Sequence, residues 1–281
     1  MSLFPPIEHK RSGWQLFLMT VIGRSYPRVV GMQRERSWMF FDVFLPLLSV
    51  AAYVFVYRAI GAPEDYVGFV VVGGAMTAFW MNVLWSMSSQ LYWEKEQGNL
   101  ALYIISPAPM MAILLGMAVG GLFATLLRAI AIIAVGSLIF EVTYAVSSFW
   151  QLIAVFSLSM IALYGLGMMT ASIFLLLSRE AWHLANLAME PVYLVSGMYF
   201  PVKNMGFWAA AAASVIPLTL GLDAMRQLVF ASGPSLGFLS VETEIIVLIL
   251  LSVVFVTAAR FLLAYIERLA VREGRLTENR R

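Results

Sequence analysis

Of the 281 residues, 61 % are hydrophobic and only 12 % charged, where an ordinary soluble domain carries about 25 % charged residues. A water-soluble globule cannot hide that much apolar surface, so lipid is the solvent for most of the chain. Cysteine is absent, which excludes disulfide scaffolds, thiolate metal sites and cysteine nucleophiles, and the two histidines, His9 and His183, stand too far apart in sequence to suggest a metal pair. The net charge of +2 says little; its placement says more.

The first 37 residues mix Arg24, Arg28, Arg34 and Arg36 with Trp14, Leu16, Phe17, Leu18, Val21 and Ile22 and contain no cleavable signal peptide. The pattern predicts a helix lying in the inner membrane interface, apolar side chains in lipid and arginines at headgroups. A basic juxtamembrane flank fits the same residues. A crossing helix needs about 20 mostly apolar residues, which predicts spans at 38–60, 66–88, 110–138, 148–177, 185–200 and 244–265. The third and fourth exceed what a bilayer requires and are expected to tilt or protrude. The fifth is short and stops at Pro201.

A further apolar run, 205–222, is settled by the basic residues, which collect on the cytoplasmic side of membranes. With six spans and an inside N-terminus, Lys10, Arg11, Arg24, Arg28, Arg34, Arg36, Lys95, Arg179 and the arginines from Arg260 onward fall inside. Only Arg58, Lys203 and Arg226 fall outside, and Arg128 lies within a span. A seventh crossing would put the basic tail outside, so 205–222 is read as a hairpin that dips in from the outer face and breaks at Pro217. The expected fold is an all-α integral membrane protein, one domain over 1–281. It comprises an N-terminal segment 1–37, six spans within 38–265 and a cytoplasmic tail 266–281. Strong positive-inside bias without a targeting peptide suits a bacterial inner membrane, with both termini cytoplasmic.

Catalytic signatures are missing: no GxxxxGK[ST] phosphate loop, no HExxH, no GxSxG. Glu64 and Asp65 read as solvated loop charges, and Glu94 and Glu96 beside Lys95 are too few acids for a metal site. Polar residues inside spans mark transport paths by default, and the candidates are Asp42, Asn82, Arg128 and Glu190. Asp42 falls near the inner interface. Arg128 and Glu190 lie deeper, where they either pair with each other or line a cavity. Asn82, Glu190 and the deep Trp80 and Trp85 of the second span are the candidate translocation path. Gly116-xxx-Gly120 and Gly165-Leu166-Gly167 permit close helix approach, read first as packing within one subunit and second as a dimer contact.

The most distinctive segment joins the second and third spans: Leu91-Tyr92-Trp93-Glu94-Lys95-Glu96-Gln97-Gly98-Asn99-Leu100-Ala101-Leu102-Tyr103-Ile104-Ile105-Ser106-Pro107. Gly98 permits a tight bend, Leu100, Tyr103 and Ile104 share a helical face, and Pro107 ends the element. A short amphipathic helix with a charged shoulder suits docking into a partner's groove. The segment resembles the E-x-G-T-L-x-x-L-x-x-[ST]-P loop of the ABC type-2 transporter permeases, with Asn99 in place of threonine and Tyr103 in place of leucine. A second block, Ser196-Gly197-Met198-Tyr199-Phe200-Pro201, Ile216-Pro217-Leu218-Thr219 and Asp223-Ala224-Met225-Arg226, is similar to the family's SGxxFP…PLTxxxDAxR signature.

The resemblance implies a half-transporter that is not itself an enzyme. Two copies, expected to be identical, form the pore in membrane lipid, and two copies of a separate ABC ATPase subunit, carrying ATP and Mg, dock on the loop after the second span. Trp93, Glu94, Glu96, Gly98, Leu100 and Tyr103 would form that docking element. Gly197, Phe200, Pro201, Pro217 and Arg226 would belong to a re-entrant outer gate. The implied function is ATP-driven export of an amphipathic or hydrophobic cargo, drug or lipid-like, with a polysaccharide or lipid-linked glycan as the alternative and no nucleic acid involved. Rivals from other classes are an ion-coupled carrier built on Glu190, a membrane-embedded transferase and a non-transporting scaffold.

Overall fold

The computed structural model describes residues 13–34, 36–177, 180–230 and 237–273. Lys10, Arg11, Arg179 and the arginines of the tail from 274 on, which carried part of the charge pattern, lie outside the described residues, as does His9. The chain is helical almost throughout: α1 (Trp14–Arg34), α2 (Arg36–Ala59), α3 (Asp65–Met81), α4 (Gln90–Glu96), α5 (Asn99–Ile105), α6 (Met110–Phe140), α7 (Phe149–Leu177), α8 (Glu180–Val195), α9 (Phe207–Ala213), α10 (Pro217–Val229) and α11 (Val241–Glu273). A π-helical segment, Asn82–Ser88, carries α3 into α4, and a 3-10 turn, Val202–Met205, precedes α9.

Among the described residues, five helices are long and apolar enough to cross a bilayer: Phe40–Ala59, Asp65–Glu96, Met110–Phe140, Phe149–Leu175 and Val241–Leu269. The α9–α10 pair, bent by 111°, makes a sixth if it counts as one broken span. The expected crossing at 185–200 takes a different form. Its helix is α8, only 16 residues long, and the chain leaves it at Ser196 and turns through Gly197 at φ +68°. The run at 205–222 does break sharply before Pro217, which sits at the first position of α10 where its missing N–H costs no hydrogen bond.

The long α3 span is the axis of the bundle. Residues 67–80 are all buried, and 89 % of its most apolar stretch is enclosed by protein, against 11 % for the α2 span and 22 % for α11. The outer helices turn Phe40, Phe44, Leu48, Phe55, Ile246 and Leu250 outward, a surface that only lipid solvates without penalty. The small residues pack within the chain, in agreement with the first reading of them. A Cβ on Gly116 would stand 2.6 Å from the Val21 carbonyl oxygen, and one on Gly120 2.8 Å from that of Ser25, so α1 lies directly on α6. Gly165 receives Phe255 and Val256 of α11, and Gly167 receives Val83 and Met87 of the π segment.

Candidate functional site

The loop after the second span folds back as two short helices hinged at Gly98, whose φ of +78° is the left-handed conformation that glycine adopts without strain. Glu94 on α4 is buried, at 6 % exposure. Its carboxylate accepts hydrogen bonds from Arg24 Nη2 (3.2 Å), Gln90 Nε2 (2.7 Å) and Asn99 Nδ2 (3.0 Å). Arg24 also donates to the Tyr103 hydroxyl at 2.5 Å and lies 4.8 Å from its ring centroid. Burial, and next the neighbouring Glu94 carboxylate, push the Tyr103 phenol up to about 12, so it remains a neutral hydrogen-bonding group. One turn on, Arg28 donates to Ser86 Oγ (2.6 Å), to the Ser86 carbonyl (3.3 Å) and to Gln90 Oε1. A π turn is wider than an α turn and is frequent at functional sites; here Arg28 grips one.

Two expectations are thereby corrected. Arg24 and Arg28 point into the fold instead of at headgroups, because a buried carboxylate and the carbonyl of a loosened turn offer stronger, charge-assisted partners. The face of α1 left outward is apolar, with Trp14, Leu18, Ile22 and Tyr26 exposed at four-residue spacing. The apolar stripe of α5, expected to face a partner, also turns inward. Leu100 is buried in the core and Tyr103 and Ile104 pack against it, so the stripe seen in the sequence anchors the loop. The residues left outward are Trp93 (42 % exposed), Leu102 (60 %) and Ile105 (79 %), together with Glu96 and Gly98.

At the other end of α3, Arg226 of α10 is fully enclosed. Its Nη1 donates to the Gly197 carbonyl (2.5 Å) and its Nη2 to those of Met198 and Phe69 (both 2.6 Å), with the guanidinium 4.7 Å from the Phe69 ring centroid. Gly73 makes this possible: a Cβ there would stand 1.5 Å from the Met198 oxygen. Gly197 needs its positive φ, Pro201 and Pro217 are buried, and Phe200 is half-buried beside them. Two sequence blocks, bonded across 28 and 29 residues, thus form one lock, tying the turn at 196–201 and α10 to α3. Asp223 of the same block accepts the Phe238 N–H at 2.7 Å and holds the approach to α11.

The expected path residues do not converge. Trp80 is buried inside the bundle, Trp85 is half-buried in the π segment, Glu190 is exposed on α8, and Asn82 accepts a hydrogen bond from Tyr164 (2.9 Å). Arg128 pairs with Asp42 at 3.0 Å, not with Glu190, because α6 lies alongside α2. This pair lines a cleft of about 270 Å³ together with Thr77 of α3, Met189 and Tyr193 of α8, and Tyr199. The signal available in the sequence was two opposite charges in otherwise apolar runs; helix adjacency, which makes them partners, was not. Among the described residues, no group of three His, Cys, Asp or Glu side chains could hold a metal ion.

Helices of this length and apolarity, built around a buried axis, define a multi-pass membrane protein. Residues 25–230 match the model of the family described as ABC-2 type transporter, and the chain belongs to that family. Over 166 residues the chain is 26 % identical to the protein named "Probable multidrug ABC transporter permease YbhR" of Escherichia coli K12, and equally to that of Escherichia coli O157:H7. The matched stretch covers 58 % of this chain and 44 % of the relative, so the chain spans less than half the length of the curated relatives it matches. Both the loop at 91–107 and the lock at 196–226 fall inside the family match.

Proposed function

We propose that the chain is the membrane half of an ATP-driven exporter. One permease domain pairs with a second, identical copy, and two copies of a separate ABC ATPase, holding ATP and Mg, dock on the outward face of α5. The observation that carries this reading is the α4–Gly98–α5 element. Its inward face is welded to α1 and to the π segment through Glu94, Arg24 and Arg28, while Trp93, Leu102 and Ile105 stay outward. Anchored on one side and apolar on the other, it receives a push and passes it to the bundle axis.

In this mechanism ATPase closure displaces α5. Glu94 and Arg24 carry the displacement to α1, Arg28 carries it to the widened turn at Ser86, and α3 delivers it to the Arg226 lock. The α9–α10 hairpin, re-entrant from the outer side, acts as the gate. Both termini are cytoplasmic, α8 with its turn completes the fifth of six spans, and the membrane is a bacterial inner membrane. The cargo is amphipathic or hydrophobic; the "multidrug" in the relative's name favours this over a polysaccharide or lipid-linked glycan. Among the described residues, nothing around the exposed Glu190 favours an ion-coupled carrier. The test is a mild-detergent pull-down from native membranes followed by intact-mass analysis. Two copies of the chain with two of a P-loop ATPase are expected. A chain that comes down without an ATPase, with and without nucleotide, overturns the proposal.

A further inference from the structure

The Asp42–Arg128 pair is an unusual wall for an apolar cleft. Its side chains remain 33 % and 24 % exposed, so the bond itself contributes little to stability. Charges placed inside spans mark function by default. Arg128 spends one Nη on Asp42, and its Nε is buried without a hydrogen-bond partner among the described residues. Arg128 lines the cleft and keeps part of its side chain exposed, so its guanidinium can donate to an anionic oxygen that enters.

The net charge of the site selects the ligand. A lone cation entering the cleft is repelled by Arg128 and a lone anion by Asp42, and either leaves one of the two partly exposed charges without its partner. A ligand carrying both signs a few ångströms apart incurs neither penalty. Its ammonium takes the Asp42 carboxylate and its phosphate or carboxylate takes the Arg128 fork, replacing one ion pair by two. Phe41, Tyr193 and Tyr199 supply ring faces for an ammonium group. At about 270 Å³, the cleft lies below the range of sites that engulf a drug-sized molecule, roughly 300–1,000 Å³. It suits a headgroup, with the apolar chain leaving past the exposed Phe41 and Leu45.

We propose that this cleft binds the headgroup of a zwitterionic amphiphile. The assignment of that ligand as cargo rests on the exporter reading above; its binding does not. The experiment uses the full chain purified in a neutral maltoside detergent without any ATPase, so a failure of ATPase docking leaves it untouched. A fluorescent lysophosphocholine is titrated against alkyl trimethylammonium and alkyl sulfate competitors of equal chain length. The zwitterion is expected to bind about tenfold more tightly than either singly charged analogue, and Asp42→Asn and Arg128→Gln each to weaken it about tenfold. The double exchange Asp42→Arg with Arg128→Asp keeps the ion pair, and so the fold, but reverses the dipole; it is expected to hold its unfolding midpoint and lose the preference. Equal affinity for all three headgroups, or an exchanged protein that binds as tightly as the original, overturns the proposal. Repeating the titration in phosphatidylethanolamine nanodiscs separates two sources of the same chemistry: displacement of the probe assigns the site to a bilayer lipid, and its persistence to a soluble zwitterion.

Discussion

The two ends of α3 are held by arginines in opposite ways. At one end Arg24 and Arg28 grip side chains: Glu94, Tyr103, Ser86 and Gln90, with a single backbone carbonyl at 3.3 Å. At the other, Arg226 is enclosed and grips only backbone, the carbonyls of Gly197, Met198 and Phe69. Side-chain partners can exchange as rotamers change, whereas carbonyls move only with the chain that bears them. The first arrangement suits a joint that must yield during a cycle, the second a fixed point against which it works.

Removing the fixed point gives the largest expected effect. Arg226→Ala strands three buried carbonyls, each worth about 1–3 kcal/mol when left unsatisfied, and is expected to abolish recovery of monodisperse protein in size-exclusion chromatography. Arg226→Lys is expected to fall nearly as far, since an ammonium cannot reproduce the planar fork. Gly73→Ala reaches the same lock from α3, where the added methyl collides with the Met198 carbonyl; it should match Arg226→Ala in outcome. Recovery of either alanine variant with an unchanged unfolding midpoint would erase the contrast between the two ends.

Breaking the joint should cost less stability and more coupling. Glu94→Ala removes the acceptor shared by Arg24, Gln90 and Asn99 and is expected to lower stability by about 2 kcal/mol, read as a fall in the detergent unfolding midpoint. In the assembled transporter it should also leave ATP hydrolysis indifferent to cargo. Tyr103→Phe removes one hydroxyl from Arg24, an effect of about 1 kcal/mol. Its consequence for coupling should be correspondingly small, since the ring remains under the guanidinium.

Much of this architecture was legible before any coordinates. The apolar runs located the five long helices, Gly116 and Gly120 announced a close approach that α1 fulfils, and Pro217 marked the break between α9 and α10. What escaped reading was relative placement. Leu100, Tyr103 and Ile104 form an apolar stripe whether it faces the core or a partner, and the periodicity of one helix does not say which. Asp42 pairs with Arg128 because α2 and α6 are neighbours, a fact of packing that no spacing along the chain encodes. The targets of Arg226 are carbonyls, which every residue has, so its role was visible only as a motif and not as a bond. The helix at 185–200 ends early because the Ser196–Gly197 turn diverts it to that arginine, where an apolar ruler would have carried it on to Pro201.

The central claim is that the outward face of α5 receives the ATPase while its inward face transmits the push. The double variant Leu102→Asp with Ile105→Asp tests it most directly, because both side chains are exposed and their replacement should shift stability by no more than about 0.5 kcal/mol. The expected result is a permease that purifies with an unaltered unfolding midpoint and no longer retains an ATPase subunit through affinity capture. An ATPase retained in full, with hydrolysis still responding to cargo, would contradict the account.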